Sequence, residues 1–145
     1  MAKEALKNLK KIKKDDRERL KEVRERIKSN REHLAEAQRV FNTWIRKRDA
    51  DKTCISCPSP LRGKFDAGHY MSAGGNSALR FHEDNCHGQC VQCNQHLSGN
   101  LIHYRRGLID RIGEERVDFL ERNAKVIRKW AADELKEIKQ KYKAL

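Results

Sequence analysis

The sequence of 145 residues is poor in what most β-rich or extended chains are built from: it has 2 prolines, 8 glycines and 6% aromatics. That composition argues against a β-sandwich, a collagen-like repeat or a Gly/Pro linker. Long apolar runs are missing too. No segment approaches the roughly 20 residues that cross a bilayer, and the basic N-terminus lacks the apolar stretch of a secretory signal. The expectation is a soluble, cytoplasmic protein with no membrane partner. At this length, one compact core with extensions is expected.

Positive charge is what the chain has in excess. Lys+Arg number 33 against 21 Asp+Glu, a net +12, enough to draw the chain to a polyanion, most commonly a nucleic-acid backbone. The surplus is +8 over residues 1–50, zero over 51–100 and +4 over 101–145, while the middle third holds all five cysteines and both prolines. This shift predicts three parts: a long basic helix over 1–50, a cysteine-rich core over 51–104 and a helical segment over 105–145.

Between Ala2 and Arg48 there is no Gly or Pro, and strong helix formers dominate, so a long helix is expected. Leu20, Val23, Ile27, Asn30, Leu34, Ala37, Phe41 and Trp44 step by three and four, a heptad seam about 37 Å long with Asn30 as its polar member. Two partners suit it: the chain's own C-terminal helix, or a second copy in a coiled-coil dimer registered by Asn30. Helical character resumes at Leu101. A short helix is expected before Gly113, then a longer one from Glu114 with Leu120, Ala124, Ile127, Ala131, Leu135, Ile138 and Tyr142 on one face.

Cys54-Ile55-Ser56-Cys57 and Cys90-Val91-Gln92-Cys93 are two C-x2-C knuckles, the spacing of a closed tetrahedral structural Zn2+ site. Cys86 competes for the fourth position, but Cys93 reproduces the first knuckle and is preferred. A thioredoxin-like redox pair is the weaker alternative, because no strand–helix–strand pattern surrounds either knuckle. A zinc staple suits a core this small. The 32 residues between Cys57 and Cys90 are more than a plain zinc ribbon needs, and they are dense in imidazole and oxygen donors. Of these, His82, His103, Asn76, Asn100 and Asp84 read as surface, turn or capping residues.

His69, Asn85 and Asn94, bracketed by the knuckles, resemble an HNH (His-Me finger) nuclease with a built-in zinc site over residues 54–100. The runs Phe41-Asn42-x-Trp44-Ile45-Arg46-x-Arg48-Asp49, Gly68-His69-Tyr70, Leu79-Arg80-Phe81 and Gln89-Cys90-Val91-Gln92-Cys93-Asn94-Gln95-His96-x-Ser98-Gly99-Asn100 look like the phage NinG family. That family includes a structure-specific endonuclease of branched recombination intermediates. The resemblance implies an α+β, mostly helical fold: a small zinc-stapled ββα-metal (HNH-like) core flanked by a long basic N-terminal helix and C-terminal helices. Within it, Phe65 to Tyr70 would be the strand delivering His69 as general base, and a helix starting near Cys90 would carry Asn94 as ligand to a catalytic Mg2+ or Mn2+. Asn85 would brace the loop and orient the histidine.

One position departs from the family pattern. Gly68 stands where many HNH enzymes place a second metal ligand, so His87, Asp66 or His96, in that order, is expected to complete the coordination. Arg46, Arg48, Arg105 and Arg106 flank the core and are the expected phosphate contacts. The function these residues imply is metal-dependent cleavage of branched DNA such as Holliday junctions, D-loops and flaps, by a homodimer in the phage's bacterial host. A zinc-stapled branched-DNA-binding module without catalysis is the alternative.

Overall fold

The computed structural model describes residues 2–145, with side chains from residue 4 onward. Its elements in chain order are α1 (Ala2–Ile27), α2 (Asn30–Arg48), β1 (Phe65–His69), β2 (Cys86–Cys90), α3 (Leu101–Ile112), α4 (Glu114–Arg122) and α5 (Ala132–Ala144), with single helical turns at Ser77–Leu79, Glu83–Asn85 and Gln92–His96. The protein is mostly helical around one two-stranded sheet.

The N-terminal helix expected as one rod is two helices. Ser29 is extended at φ −68°, ψ 155°; its hydroxyl accepts from the Glu32 N–H, and its own N–H donates to the Glu32 carboxylate at 2.8 Å. This capping box starts a new helix where composition alone reads continuity. Lys28 holds the elbow, paired with Glu25 and, at 2.7 Å, with Glu36.

The break divides the heptad seam. Its second half faces the protein's own α5: Ala37, Phe41 and Ile45 are buried with Leu135 and Tyr142, and the Phe41 ring meets Tyr142 edge-on at 4.9 Å. The first half, Leu20, Val23 and Ile27, stays 59%, 45% and 74% exposed. Asn30 does not sit in a coiled-coil interface; its amide donates to the Trp130 carbonyl at 2.8 Å.

The long C-terminal helix expected from Glu114 is also broken. Residues 123–131 form a strap, although they contain neither Gly nor Pro. Tertiary bonds outweigh helix propensity here. Lys125, at φ 65°, donates its N–H to Asn76 Oδ1 at 2.6 Å, Arg128 N–H donates to Ser77 Oγ at 2.7 Å, and Trp130 Nε1 donates to the Ser77 carbonyl at 2.9 Å. Ile127, expected on the buried face, is 68% exposed.

A second core gathers Ile55 and Leu79 with Tyr104 and Leu108 of α3 and Val117 and Leu120 of α4. α3 therefore spans the boundary expected at residue 104. It lies directly on the first knuckle, so close that a Cβ on Gly107 would sit 1.9 Å from the Ile55 carbonyl oxygen. Only glycine permits that approach. β1 and β2 are antiparallel, pairing His69 with Cys86, Gly68 with His87 and Asp66 with Gln89. The helix expected from Cys90 is a single π turn, Gln92–His96, before α3 begins.

Candidate functional site

The two knuckles meet. Cys54, Cys57, Cys90 and Cys93 bring their sulfurs within 4.8 Å of one another, and Cys57 Sγ lies 3.8 Å from Cys90 Sγ. Sulfurs about 2.3 Å from a tetrahedral Zn2+ stand about 3.8 Å apart, so the donor set fits that ion. Backbone N–H groups of Ser56 and Cys90 point at Cys54 Sγ at 3.4 Å each, and the Asn100 amide donates to Cys93 Sγ at 3.4 Å. Burial pushes the Cys93 thiol up to about 12 and raises Cys54; a dication reverses that preference and holds the thiolates. Asn100, expected as a turn former, thus supports the metal centre from φ 45° at the head of α3.

Cys86 takes no part in this cluster. Three strand residues separate it from Cys90, four steps or about 13 Å of extended chain. It is fully buried instead, with Sγ 3.7 Å from His69 Nδ1.

The end of β1 places His69. Its Nε2 lies 3.0 Å from the Arg80 carbonyl; a carbonyl only accepts, so Nε2 carries the proton and the lone pair is on Nδ1. Burial lowers its pKa, the Arg80 carbonyl opposes this and the Arg80 guanidinium reinforces it. At neutral pH the ring is an unprotonated base. Asn85, fully buried, donates to the Met71 carbonyl at 2.9 Å and the Leu79 carbonyl at 3.1 Å and accepts from the Met71 N–H at 2.8 Å. These bonds fix the loop that follows His69.

A cleft of about 510 Å³ opens beside these groups, lined by His69 and Asn94 together with Tyr70, Ser72, Asn76 and Ser98. The Asn94 amide donates to Asp66 Oδ2 at 2.9 Å, and Gln95 donates to the same oxygen at 2.7 Å. Asp66 and Asn94 are thereby brought together through the amide nitrogen; the carboxylate, with the amide turned over to present its oxygen, would be a donor pair that suits a hard divalent cation. Gly68 has a packing reason. A Cβ there would lie 2.2 Å from Gln89 Oε1, so the cross-strand neighbourhood leaves no room for a side chain.

His87 does not join His69. It stands opposite Gly68, on the other face of the sheet, 3% exposed, with Nδ1 3.1 Å from Arg48 Nη2 and 3.4 Å from Arg111 Nη1 and Nε2 3.2 Å from the Asp84 carbonyl. Burial and the Arg48 and Arg111 cations push its pKa down to about 3, against the pull of Asp49. The unfolded chain takes up a proton near pH 6.5 that native His87 refuses, so stability is full above that pH and falls as pH drops toward 3. His87→Gln is expected to flatten this fall by up to about 1.4 kcal/mol per pH unit, measured as the difference between urea-unfolding free energies at pH 6.5 and 4.5. A variant as acid-sensitive as the wild type would contradict this. His96 is exposed on the π turn.

The expected phosphate contacts divide. Arg48 is a structural clamp: it donates to both Asp49 oxygens at 2.8 Å and to the Glu83 and Cys86 carbonyls, while buried Asp49 also takes the Gly88 N–H. Arg105 is held by Glu121 at 2.7 Å. Arg46 touches Thr43, and Arg106 is exposed beside the first knuckle, on a groove it shares with His103 and Arg111. Asp84, expected as a surface charge or cap, pairs with Arg116.

The fold and site define a mostly helical protein in which four convergent cysteines, a set that could hold a metal ion such as zinc, lie beside a small antiparallel sheet. A family model described as "Bacteriophage Lambda NinG protein" matches residues 1–145, and the chain belongs to that family. It is 49% identical over 109 residues to "Protein ninG" of Escherichia phage 933W, covering 75% of this chain and 54% of that one. It is 49% identical over 109 residues to the protein of that name in Escherichia phage lambda, and 48% over 109 in Salmonella phage P22. The chain spans about half the length of these relatives. No solved structure matches it, and no helix among the described residues is long and apolar enough to cross a membrane.

Proposed function

We propose that this protein is a divalent-metal-dependent endonuclease of branched DNA in phage recombination, acting on DNA in the cytoplasm of the bacterial host cell, and that β1, β2 and the Gln92–His96 turn form a reduced ββα-metal unit of the HNH type. The observation that carries the reading is the shared cleft: a neutral, carbonyl-oriented His69 beside Asn94, itself bonded to Asp66. His69 takes the proton of the attacking water; because Nε2 is held by the Arg80 carbonyl and Nδ1 faces the buried Cys86 Sγ at 3.7 Å, the ring turns to present a nitrogen to the cleft when it acts. Asp66 and Asn94 would hold Mg2+ or Mn2+, which when bound supplies positive charge at the phosphate and the leaving oxygen. Asn85 keeps the loop from shifting the base.

A test with a readout besides cutting is Mn2+ binding followed by electron paramagnetic resonance on zinc-loaded protein. One Mn2+ per chain is expected, with affinity reduced at least about tenfold in Asp66→Ala and in Asn94→Ala. Mn2+ binding that neither substitution weakens would overturn this ligand set.

A homodimer suits a substrate with two strands to cut, and the support for it is α1, whose Leu20, Val23 and Ile27 lie exposed at heptad spacing. Sedimentation equilibrium is expected to give twice the chain mass, reverting to one chain in Leu20→Glu/Ile27→Glu. A wild-type protein that is monomeric at tens of micromolar would contradict the dimer.

A further inference from the structure

Arg80 is the arginine beside the sheet that nothing in the fold neutralises. Arg48 and Arg111 are answered by Asp49, and Arg105 by Glu121. Arg80 takes part in no ion pair among the described residues; Nη1 donates to Gln38 Oε1 at 3.1 Å, and Nε is shut off from solvent with no hydrogen-bond partner. A half-buried guanidinium with an orphaned donor is costly unless an anion completes it.

Its position says which anion. The backbone carbonyl of the same residue orients His69, and its guanidinium lies near enough to act on that ring's charge. Gln38 Oε1, which receives Nη1, belongs to an amide whose Nε2 donates to Asn42 Oδ1 at 2.8 Å, so α2 steadies the end of the guanidinium and leaves the edge formed by Nε and Nη2. That edge is the fork that grips two oxygens of a phosphate, given a small turn of the side chain toward the entering anion.

We propose that Arg80 is the phosphate-gripping residue of the site, closing its Nε/Nη2 edge on a nonbridging oxygen pair of the DNA backbone next to His69. The name "scissile" for that phosphate rests on the nuclease reading; the grip itself does not. Arg80 thereby couples two tasks, orienting the base through its carbonyl and seating the phosphate through its side chain.

The test is the salt dependence of DNA binding by zinc-loaded protein with no Mg2+ or Mn2+ added, where no cutting is expected. Affinity for a labelled four-way junction is measured from 50 to 300 mM KCl for the wild type, Arg80→Gln and Arg80→Met, the latter keeping the bulk of the stem. Loss of one phosphate contact reduces the slope of log K against log[KCl] by about 0.9. With Mg2+ added, cutting is expected to fall about 10²–10³-fold, the usual loss for one preorganised donor. A reduced slope in a protein that never cuts leaves the phosphate grip standing and removes the nuclease reading. A slope equal to the wild type's in either folded variant overturns the proposal, whatever the cutting does. Zinc content and melting temperature identify the folded variants.

Discussion

Stripping the metal from the knuckles, or replacing Cys93 by Ala, is expected to abolish cooperative unfolding of the protein. The centre ties the first knuckle to the end of β2 and the turn after it, where the Ile55 N–H also donates to the Gly88 carbonyl at 3.1 Å and the Gln89 amide to Ser56 Oγ at 2.8 Å. Cys54 and Cys93 are the buried members of a small cluster with Leu61, against which Phe65 packs. Ile55, between the first two ligands, is the point on which α3 rests. A structural zinc contributes about 10–16 kcal/mol in small sites, and a domain of this size is stable by only about 5–15 kcal/mol. Loss of the first is enough to cancel most or all of the second. Chelation should therefore release one Zn2+ per chain and replace a sharp thermal transition in circular dichroism with a gradual one. Native thiols should also react slowly with iodoacetamide. A metal-free protein with an unchanged melting curve and fast-reacting Cys54 and Cys57 would instead favour a redox pair.

The second large effect is expected from His69→Ala: cleavage falls by about 10²–10⁴-fold, the range for a positioned general base, while DNA affinity without added Mg2+ or Mn2+ stays within about twofold. The contrast follows from geometry. His69 is half-buried, one nitrogen committed to a carbonyl, and contributes little contact surface to a polyanion. Because its pKa lies below the ordinary 6.5, the base form persists into mild acid. The rate should be flat above about pH 6.5 and decline only below it, a limb absent from the residual activity of His69→Ala. Equal loss of binding and cutting would make His69 a structural residue.

How far the sequence discloses this site depends on the length scale of each cause. Paired C-x2-C spacing is local, and the knuckles it predicts converge. The choice of Cys93 over Cys86 needs the strand conformation of 86–90, which places Cys86 beside His69. The same alternation separates His87 from His69: once His69 pairs with Cys86, the next residue must face the other way. Ser29 and Glu32 form a capping box readable in the chain, but it lies inside an unbroken run of helix formers whose composition alone points to one continuous helix. The strap over 123–131 has no local signal, since its partners are Asn76 and Ser77, about fifty residues away. Arg48 illustrates the same limit: its charge and the adjacent Asp49 are plain in the sequence, but the Glu83 and Cys86 carbonyls that also occupy it are brought there by the turn before β2 and by the start of β2. Arg80 was visible only as part of the Leu79-Arg80-Phe81 run, with no cue to its role before the packing was known.

The central claim, a metal-dependent cut in branched DNA made by His69, is tested most directly with labelled four-way junction, flap, D-loop, single-strand and linear duplex DNAs. Each is incubated with zinc-loaded wild type or His69→Ala, with Mg2+, with Mn2+ or with neither added. Cutting of the branched substrates by the wild type alone, only when cation is added, is the predicted result. Binding of those substrates without cutting in any cation would contradict it and leave a zinc-stapled protein that holds branched DNA and does no chemistry on it.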